Sequence, residues 1–144
     1  MIITEAPLAE VGFAITRGGS REGTHVSDLL NRASDTQYVD RPEDDAVWLD
    51  CGLMWEQYLE AKLLPMGIYR PPEGDEGGIL WNPDLIIPGD PIRIGEIKWT
   101  SKSLNLALVD GKLHPKFHRW ERQLMAYCHL SKTTLGRFYV LFVN

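Results

Sequence analysis

The segment from Gly78 to Thr100 most constrains the fold of this chain, because it contains two apolar stretches separated by a turn. The stretches cover residues 78–87 and 92–100, and both are rich in residues that favour β-strands. Between them lies Pro88-Gly89-Asp90-Pro91, a combination that is typical of turns. The segment therefore predicts a β-hairpin, around which the rest of the domain has to be built.

Three charged residues of this segment, Asp84, Glu96 and Lys98, predict a site on the hairpin. Successive side chains of a strand point to opposite faces, so Glu96 and Lys98 share one face about 6.6 Å apart, while Ile97 points into an apolar layer. Two carboxylates beside an ammonium group suit the binding of a divalent cation against a phosphate. The alternative interpretation is a half-solvated sheet face, on which Lys98 forms a structural ion pair with Glu96.

The rest of the chain predicts helices around this hairpin. One helix is predicted from about residue 47 to 64, where Pro65-Met66-Gly67 ends it, and another from about residue 116 to 130. Residues 136–143 predict an apolar strand that is too hydrophobic for an exposed sheet edge. Residues 67–70 predict a further short strand before the hairpin. The order of elements is therefore helix, three strands, helix and strand, which indicates an α/β or α+β domain with a mixed sheet flanked by helices.

The length of 144 residues fits a single domain. We expect residues 1–46 to form an N-terminal lead-in with a short helix and a polar loop, and residues 47–144 to form the core. No apolar run approaches the length of a membrane span, and the N-terminus has no signal segment. These features favour a cytoplasmic protein without a membrane partner.

Glu56 is a further candidate ligand on the first long helix. It lies at the margin of the apolar face that the helix is predicted to pack on the sheet, from where it could reach Asp84 and Glu96. Mg²⁺ prefers oxygen ligands, usually one or two carboxylates together with waters and phosphate oxygens. The predicted ligands are thus Asp84, Glu96, the backbone carbonyl of Ile97 and Glu56; the alternative for Glu56 is a solvated helix carboxylate.

The second helix presents a polar group of candidate DNA-binding residues. Gln123 and Tyr127 are four residues apart and share one helix face, with Arg119 on the same stripe and Arg122 close to it. Such side chains can bind phosphate oxygens or orient a catalytic lysine. The alternative is a core-facing tyrosine with a polar neighbour.

The net charge of −5 conceals an uneven distribution of charge. Residues 1–96 carry 18 acidic and 7 basic side chains, whereas residues 97–144 carry 2 acidic and 8 basic ones. This asymmetry suggests a localised basic surface that could contact phosphates. A basic tail that only offsets an acidic front is the alternative.

Taken in order, these residues resemble the motifs of the PD-(D/E)xK nuclease superfamily, in particular its RecB-like and phage-exonuclease branch. The matching motifs are Glu56, Pro83-Asp84, Glu96-Ile97-Lys98 and Gln123-Leu-Met-Ala-Tyr127, and they span roughly residues 47–143. The resemblance implies a restriction-endonuclease-like mixed sheet with an αβββαβ core.

The resemblance also implies roles for individual residues. Asp84 and Glu96 would bind Mg²⁺ or Mn²⁺, and Lys98 would assist the attack of water on a DNA phosphodiester. Glu56 would be an additional ligand, and Gln123 and Tyr127 would line the active site and contact DNA.

Two departures from the family pattern limit what the resemblance implies. Some relatives carry a four-cysteine iron–sulfur cluster, which the two cysteines of this chain cannot build, so no such cluster is expected. Many relatives have a histidine near the helix glutamate, where this chain has Trp55.

The sequence as a whole favours a metal-dependent DNA nuclease, more specifically an exonuclease in recombination, repair or phage DNA processing. DNA is the expected partner, together with a recombination or single-strand-annealing protein. Two alternatives stay open: a nuclease-fold DNA-binding or assembly protein without cleavage activity, and an acidic domain that binds a protein partner.

Overall fold

The computed structural model describes residues 22–33, 46–100, 108–109 and 112–142. The predicted polar loop and most of the predicted N-terminal lead-in lie outside these residues. The helices and strands are β1 (Thr24–His25), α1 (Val26–Ala33), α2 (Ala46–Leu63), β2 (Gly74–Glu76), β3 (Ile79–Trp81), β4 (Leu85–Ile87), β5 (Arg93–Thr100), β6 (Leu108–Val109), β7 (Lys112–Leu113), α3 (His118–Leu130) and β8 (Gly136–Phe142).

The predicted hairpin is confirmed as β4 and β5, which pair in the antiparallel direction with Leu85 opposite Gly95. The first stretch, however, is not one strand, because it divides into β3 and β4 around Pro83. A proline has no N–H to donate to a ladder, and its fixed φ interrupts a regular strand. The break leaves Asp84 directly before β4, at the end of the hairpin.

Strand β8 lies beside β5 and runs parallel to it, from Ile94 opposite Gly136 to Thr100 opposite Phe142. The helix α3 makes the crossover that a parallel pair requires. Within the described residues the strand order is β4-β5-β8, so the prediction that this strand avoids an edge is wrong there. Its apolar character has another cause, since Phe138 packs into the core on one face and Tyr139 into the core on the other.

The strand period of two divides the core between the two faces of this sheet. On one face Ile86 and Ile94 pack against α1 and α3, in a cluster with Val26, Leu124 and Tyr127. On the opposite face Leu85, Ile87 and Ile97 pack against Leu63 at the end of α2 and against Ile68, which follows it. The alternation places Glu96 and Lys98 on the α3 side and Ile97 on the α2 side.

Helix α2 comes close to β5 because Gly52 has no side chain. A Cβ atom at this position would lie 2.7 Å from Nε1 of Trp99, which is shorter than a normal contact. The contact fixes α2 over β5 and hence fixes the height of Glu56, one turn further along the helix.

Two smaller sheets complete the described structure. Strand β3 lies between β1 and β2, and β6 pairs with β7. The chain is thus a mixed α+β protein, as the sequence predicts at this level. Among the described helices, none combines the length and apolar character that crossing a bilayer requires.

Candidate functional site

Asp84 is fixed to the sheet by its own carboxylate. Oδ2 accepts a hydrogen bond of 2.7 Å from the backbone N–H of Ile97, in the strand that carries Glu96 and Lys98. The other oxygen, Oδ1, lies 3.8 Å from Nη2 of Arg70. One oxygen of the carboxylate is therefore held by the backbone, and the second faces a charged cluster.

Glu96 is fully buried, with 0% of its surface exposed. Its Oε2 accepts a hydrogen bond of 2.6 Å from Nζ of Lys98, as expected for side chains on one strand face. Its Oε1 is buried as well and has no hydrogen-bond partner among the described residues. The backbone N–H of Asp84 also interacts with this carboxylate and lowers its pKa, so Glu96 is held by Asp84 as well as by Lys98. A buried carboxylate oxygen without a full set of partners costs free energy.

Burial and the charge of Asp84 raise the pKa of Glu96 and of Glu56. Desolvation raises the pKa of Glu96 most and the charge of Asp84 raises it further, against the opposing effect of Lys98. The pKa of Glu56 rises from 4.5 to about 7, again through burial first and Asp84 second, while Arg70 lowers it. The site therefore crowds negative charge in a poorly hydrated place, as cation-binding sites do.

Lys98 stays protonated in this environment. Its burial alone would lower the pKa, but the charges of Glu96, Asp84 and Glu56 outweigh that effect and raise it. Lys98 is thus a positively charged hydrogen-bond donor at neutral pH, and its ammonium group faces the carboxylate cluster.

Arg70 and Glu60 belong to the cluster and were not predicted from the sequence. Arg70 donates from Nε to Oε1 of Glu60 at 2.7 Å and from Nη2 to Oε2 of Glu56 at 3.1 Å. A signal was present, since Glu56 and Glu60 are four residues apart and must lie on one face of α2. Helical periodicity does not indicate which basic side chain pairs with these two carboxylates.

The predicted DNA-binding residues on α3 divide into two groups. Gln123 donates a hydrogen bond of 3.2 Å to the hydroxyl of Tyr127. The pKa of Tyr127 is raised to about 12, first by burial and next by the nearby charge of Glu96, so this pair adjoins the carboxylate cluster. Arg119 and Arg122 are exposed on the same helix, and among the described residues no hydrogen bond or ion pair joins them to the carboxylate cluster.

Asp84 and Glu96 are the two carboxylates of the cluster that could hold a divalent cation, and the charge of Asp84 acts on Glu96. Each carboxylate has one oxygen anchored, by Ile97 and Lys98 respectively, and one oxygen that is not held by the sheet. In the described part of the chain no group of three or more acidic, histidine or cysteine side chains is close enough to hold a metal ion. Mg²⁺ is commonly bound by one or two carboxylates with waters and phosphate oxygens, so two such residues suffice.

The titration of Glu56 predicts that the protein becomes more stable as the pH falls from 8 to 6. Because the folded-state pKa is raised, this contribution to stability is complete below pH 4.5 and is lost as the pH rises through about 7. For one group the gain is about 1.4 kcal/mol in the free energy of unfolding. Urea unfolding of the wild type and of Glu56→Gln in EDTA measures it.

The difference between these two proteins isolates the effect of Glu56. We expect Glu56→Gln to lose part of the pH dependence between pH 6 and 8. Identical pH profiles for the two proteins would contradict the prediction.

Comparison with known proteins gives one informative similarity. No protein-family model matches the chain, and no curated protein matches it. A crystal structure of a protein designated SSO0001 is similar in fold, with a TM-score of 0.50 and 19% sequence identity. The similarity covers 85% of this chain and 64% of that protein, so the chain spans less than two thirds of it. At this identity the likeness concerns the fold alone, and it is consistent with the mixed α+β class.

Proposed function

We propose that this protein is a divalent-cation-dependent deoxyribonuclease of the PD-(D/E)xK type, with a restriction-endonuclease-like core. The observation that carries the proposal is the buried Glu96 carboxylate, which is paired with Lys98 through one oxygen and has no partner at the other. A structural ion pair alone does not account for a second carboxylate beside it: the backbone of Ile97 holds Asp84 there, and the charge of Asp84 raises the pKa of Glu96.

Asp84 and Glu96 would hold Mg²⁺ or Mn²⁺ together with the carbonyl of Ile97. Glu56 does not form a three-carboxylate group with them, so it would bind the cation through a water molecule. When bound, the cation supplies Lewis-acid stabilisation of the negative charge that develops on the scissile phosphate. The hydrogen bonds to Ile97 and Lys98 orient both carboxylates, which supports this assignment.

Lys98 has a separate role in the proposed reaction. Its ammonium group has three N–H donors, and Glu96 accepts from one of them. The others can stabilise a phosphate oxygen in the transition state and orient the attacking water. Because the surrounding carboxylates keep Lys98 protonated, it is a charge-stabilising donor and not the general base.

Helix α3 would position the DNA. Gln123 and Tyr127 adjoin the carboxylate cluster and could contact the phosphate next to the scissile bond. Arg119 and Arg122 are exposed and would bind phosphates further along the backbone, where positive charge contributes affinity without reading sequence.

We place the reaction in recombination, repair or phage DNA processing in the cytoplasm, with a recombination or single-strand-annealing protein as partner. The preferred form of the proposal is an exonuclease. The test is incubation of the wild-type protein with end-labelled linear DNA and with closed circular DNA, with and without Mg²⁺.

We expect Mg²⁺-dependent degradation of the linear DNA only. Cleavage of the circle would replace the exonuclease by an endonuclease. Binding of DNA without cleavage of either form, with Mg²⁺ or with Mn²⁺, would instead favour the assembly protein and overturn the enzymatic proposal.

A further inference from the structure

Arg70 is a second basic residue of the site, besides Lys98, and lies within ion-pair distance of three carboxylates. Its Nε and Nη2 atoms donate to Glu60 and Glu56, and Nη2 lies 3.8 Å from Oδ1 of Asp84. Its side chain is 27% exposed, so the guanidinium group lies at the border between the cluster and solvent. This one group thereby links α2 to the segment that precedes β4.

The backbone on which Arg70 is mounted is held firmly. Gly67 has a φ of 76°, in the left-handed region that favours glycine, and it reverses the chain after α2. Tyr69 then exchanges two backbone hydrogen bonds with Ile86 in β4, at 2.7 and 3.2 Å. The residue before Arg70 is therefore anchored to the same short strand that follows Asp84.

The oxygens that face Arg70 are the ones on which the proposed cation would depend. Oδ2 of Asp84 is occupied by the N–H of Ile97, which leaves Oδ1, and Oδ1 faces Arg70. Oε2 of Glu56 accepts from Arg70 as well. The guanidinium group of Arg70 and a divalent cation bound to these oxygens would repel each other. The repulsion is stronger in a partly buried site than in water.

Glu60 binds Arg70 independently of Glu56 and Asp84. Its carboxylate accepts from Nε, and Glu60 is not among the proposed ligands of the cation. The guanidinium group could give up Glu56 and Asp84 while it stays bound to Glu60. A guanidinium group released in this way matches the geometry of a phosphate, to which arginine binds with two parallel hydrogen bonds.

We propose that Arg70 is the internal counter-ion of the carboxylate cluster, and that it competes with the divalent cation for Glu56 and Asp84. The inference rests on the proposed function, since it concerns the same site. Arg70 is a positioning residue in this account, because it acts through the carboxylates. Its competition makes cation binding weaker than the carboxylates alone would allow.

The test is Mn²⁺ binding, measured by titration calorimetry on wild type and Arg70→Gln, without DNA. We expect Arg70→Gln to bind Mn²⁺ about tenfold more tightly, because a competing positive charge has been removed. A residue that only supported the structure would weaken binding when removed. Equal or weaker binding by Arg70→Gln would therefore overturn the inference.

Two further variants keep the experiment decisive. Arg93→Gln removes a positive charge from the exposed start of β5, and we expect its Mn²⁺ affinity to equal that of the wild type. Arg70→Lys keeps the charge but cannot bind two carboxylates as a fork, so we expect binding about threefold tighter than in the wild type. If Arg70→Gln does not fold, Arg70→Lys decides, and unchanged or weaker binding by it overturns the inference.

Cleavage assays on the same preparations separate this inference from the proposed function. Cation-dependent cleavage by the wild type, with no gain of affinity in Arg70→Gln, removes the role of Arg70 alone. Absence of both Mn²⁺ binding and cleavage removes the proposed function, and the inference with it.

Discussion

Replacing Glu96 by Gln is expected to lower the rate of DNA cleavage about a thousandfold while it makes the protein more stable. The loss of activity follows from removing one of two charged cation ligands, and a thousandfold corresponds to about 4 kcal/mol of transition-state stabilisation. The gain in stability follows from burial and the charge of Asp84, which together raise the pKa of Glu96. At pH 8 in EDTA the gain should be on the order of 1 kcal/mol, measured by urea unfolding.

Opposite signs for activity and stability distinguish a functional carboxylate from a structural one. Glu76→Gln is the matched control, because Glu76 lies exposed in β2. It should change neither quantity. A Glu96→Gln protein that is less stable than the wild type would show that the ion pair with Lys98 serves the fold.

Replacing Lys98 by Met is expected to destabilise the protein strongly at pH 8. The two partners differ, because Lys98 keeps the charges of Asp84 and Glu56 when Glu96 is replaced, whereas Glu96 loses the cation that lowers its pKa when Lys98 is replaced. The ion pair is buried, with 16% of the Lys98 side chain and 1% of the Glu96 side chain exposed. Removal of one partner leaves a buried, unpaired charge, a change that costs about 3–5 kcal/mol. Protonation of Glu96 limits the cost, so we expect about 3 kcal/mol at pH 8 and a smaller loss at pH 5.

The double variant Glu96→Gln/Lys98→Met isolates the coupling between the two residues. Without the Glu96 charge, methionine at position 98 should cost little, so the double variant should recover most of the lost stability. Lys112→Met, at an exposed position in β7, controls for the loss of a lysine. Additive losses in the double variant would contradict the account of the pair.

The sequence was most informative where the alternation of side chains along a strand determined which face each residue occupies. Glu96, Ile97 and Lys98 could be assigned to faces because a strand has only two, and the hairpin turn limited where that strand could begin. Such patterns constrain local structure and therefore appear in a single sequence. The apolar residues of α2 were less informative: Leu59 and Leu63 pack in the core as expected, but Tyr58 is exposed and Trp55 packs there instead.

Contacts that join distant segments could not be predicted in this way. Arg70 reaches Glu56 because the chain reverses at Gly67, and the direction taken after such a turn is not encoded in any periodicity. Among the described strands β8 lies at the edge of its sheet, and that position depends on which strands pair, which apolar composition does not report. Phe138 and Tyr139 pack on opposite faces, so the strand has the composition of an interior one.

In the proposed reaction, Asp84, Glu96 and Lys98 carry out divalent-cation-dependent phosphodiester hydrolysis. The rate of single-turnover cleavage of end-labelled linear DNA tests this, measured for wild type, Glu96→Gln and Glu76→Gln over a range of Mg²⁺ concentrations. We expect wild type and Glu76→Gln to cleave at equal, Mg²⁺-dependent rates, and Glu96→Gln to cleave about a thousandfold more slowly. Cleavage by Glu96→Gln at the wild-type rate would contradict it.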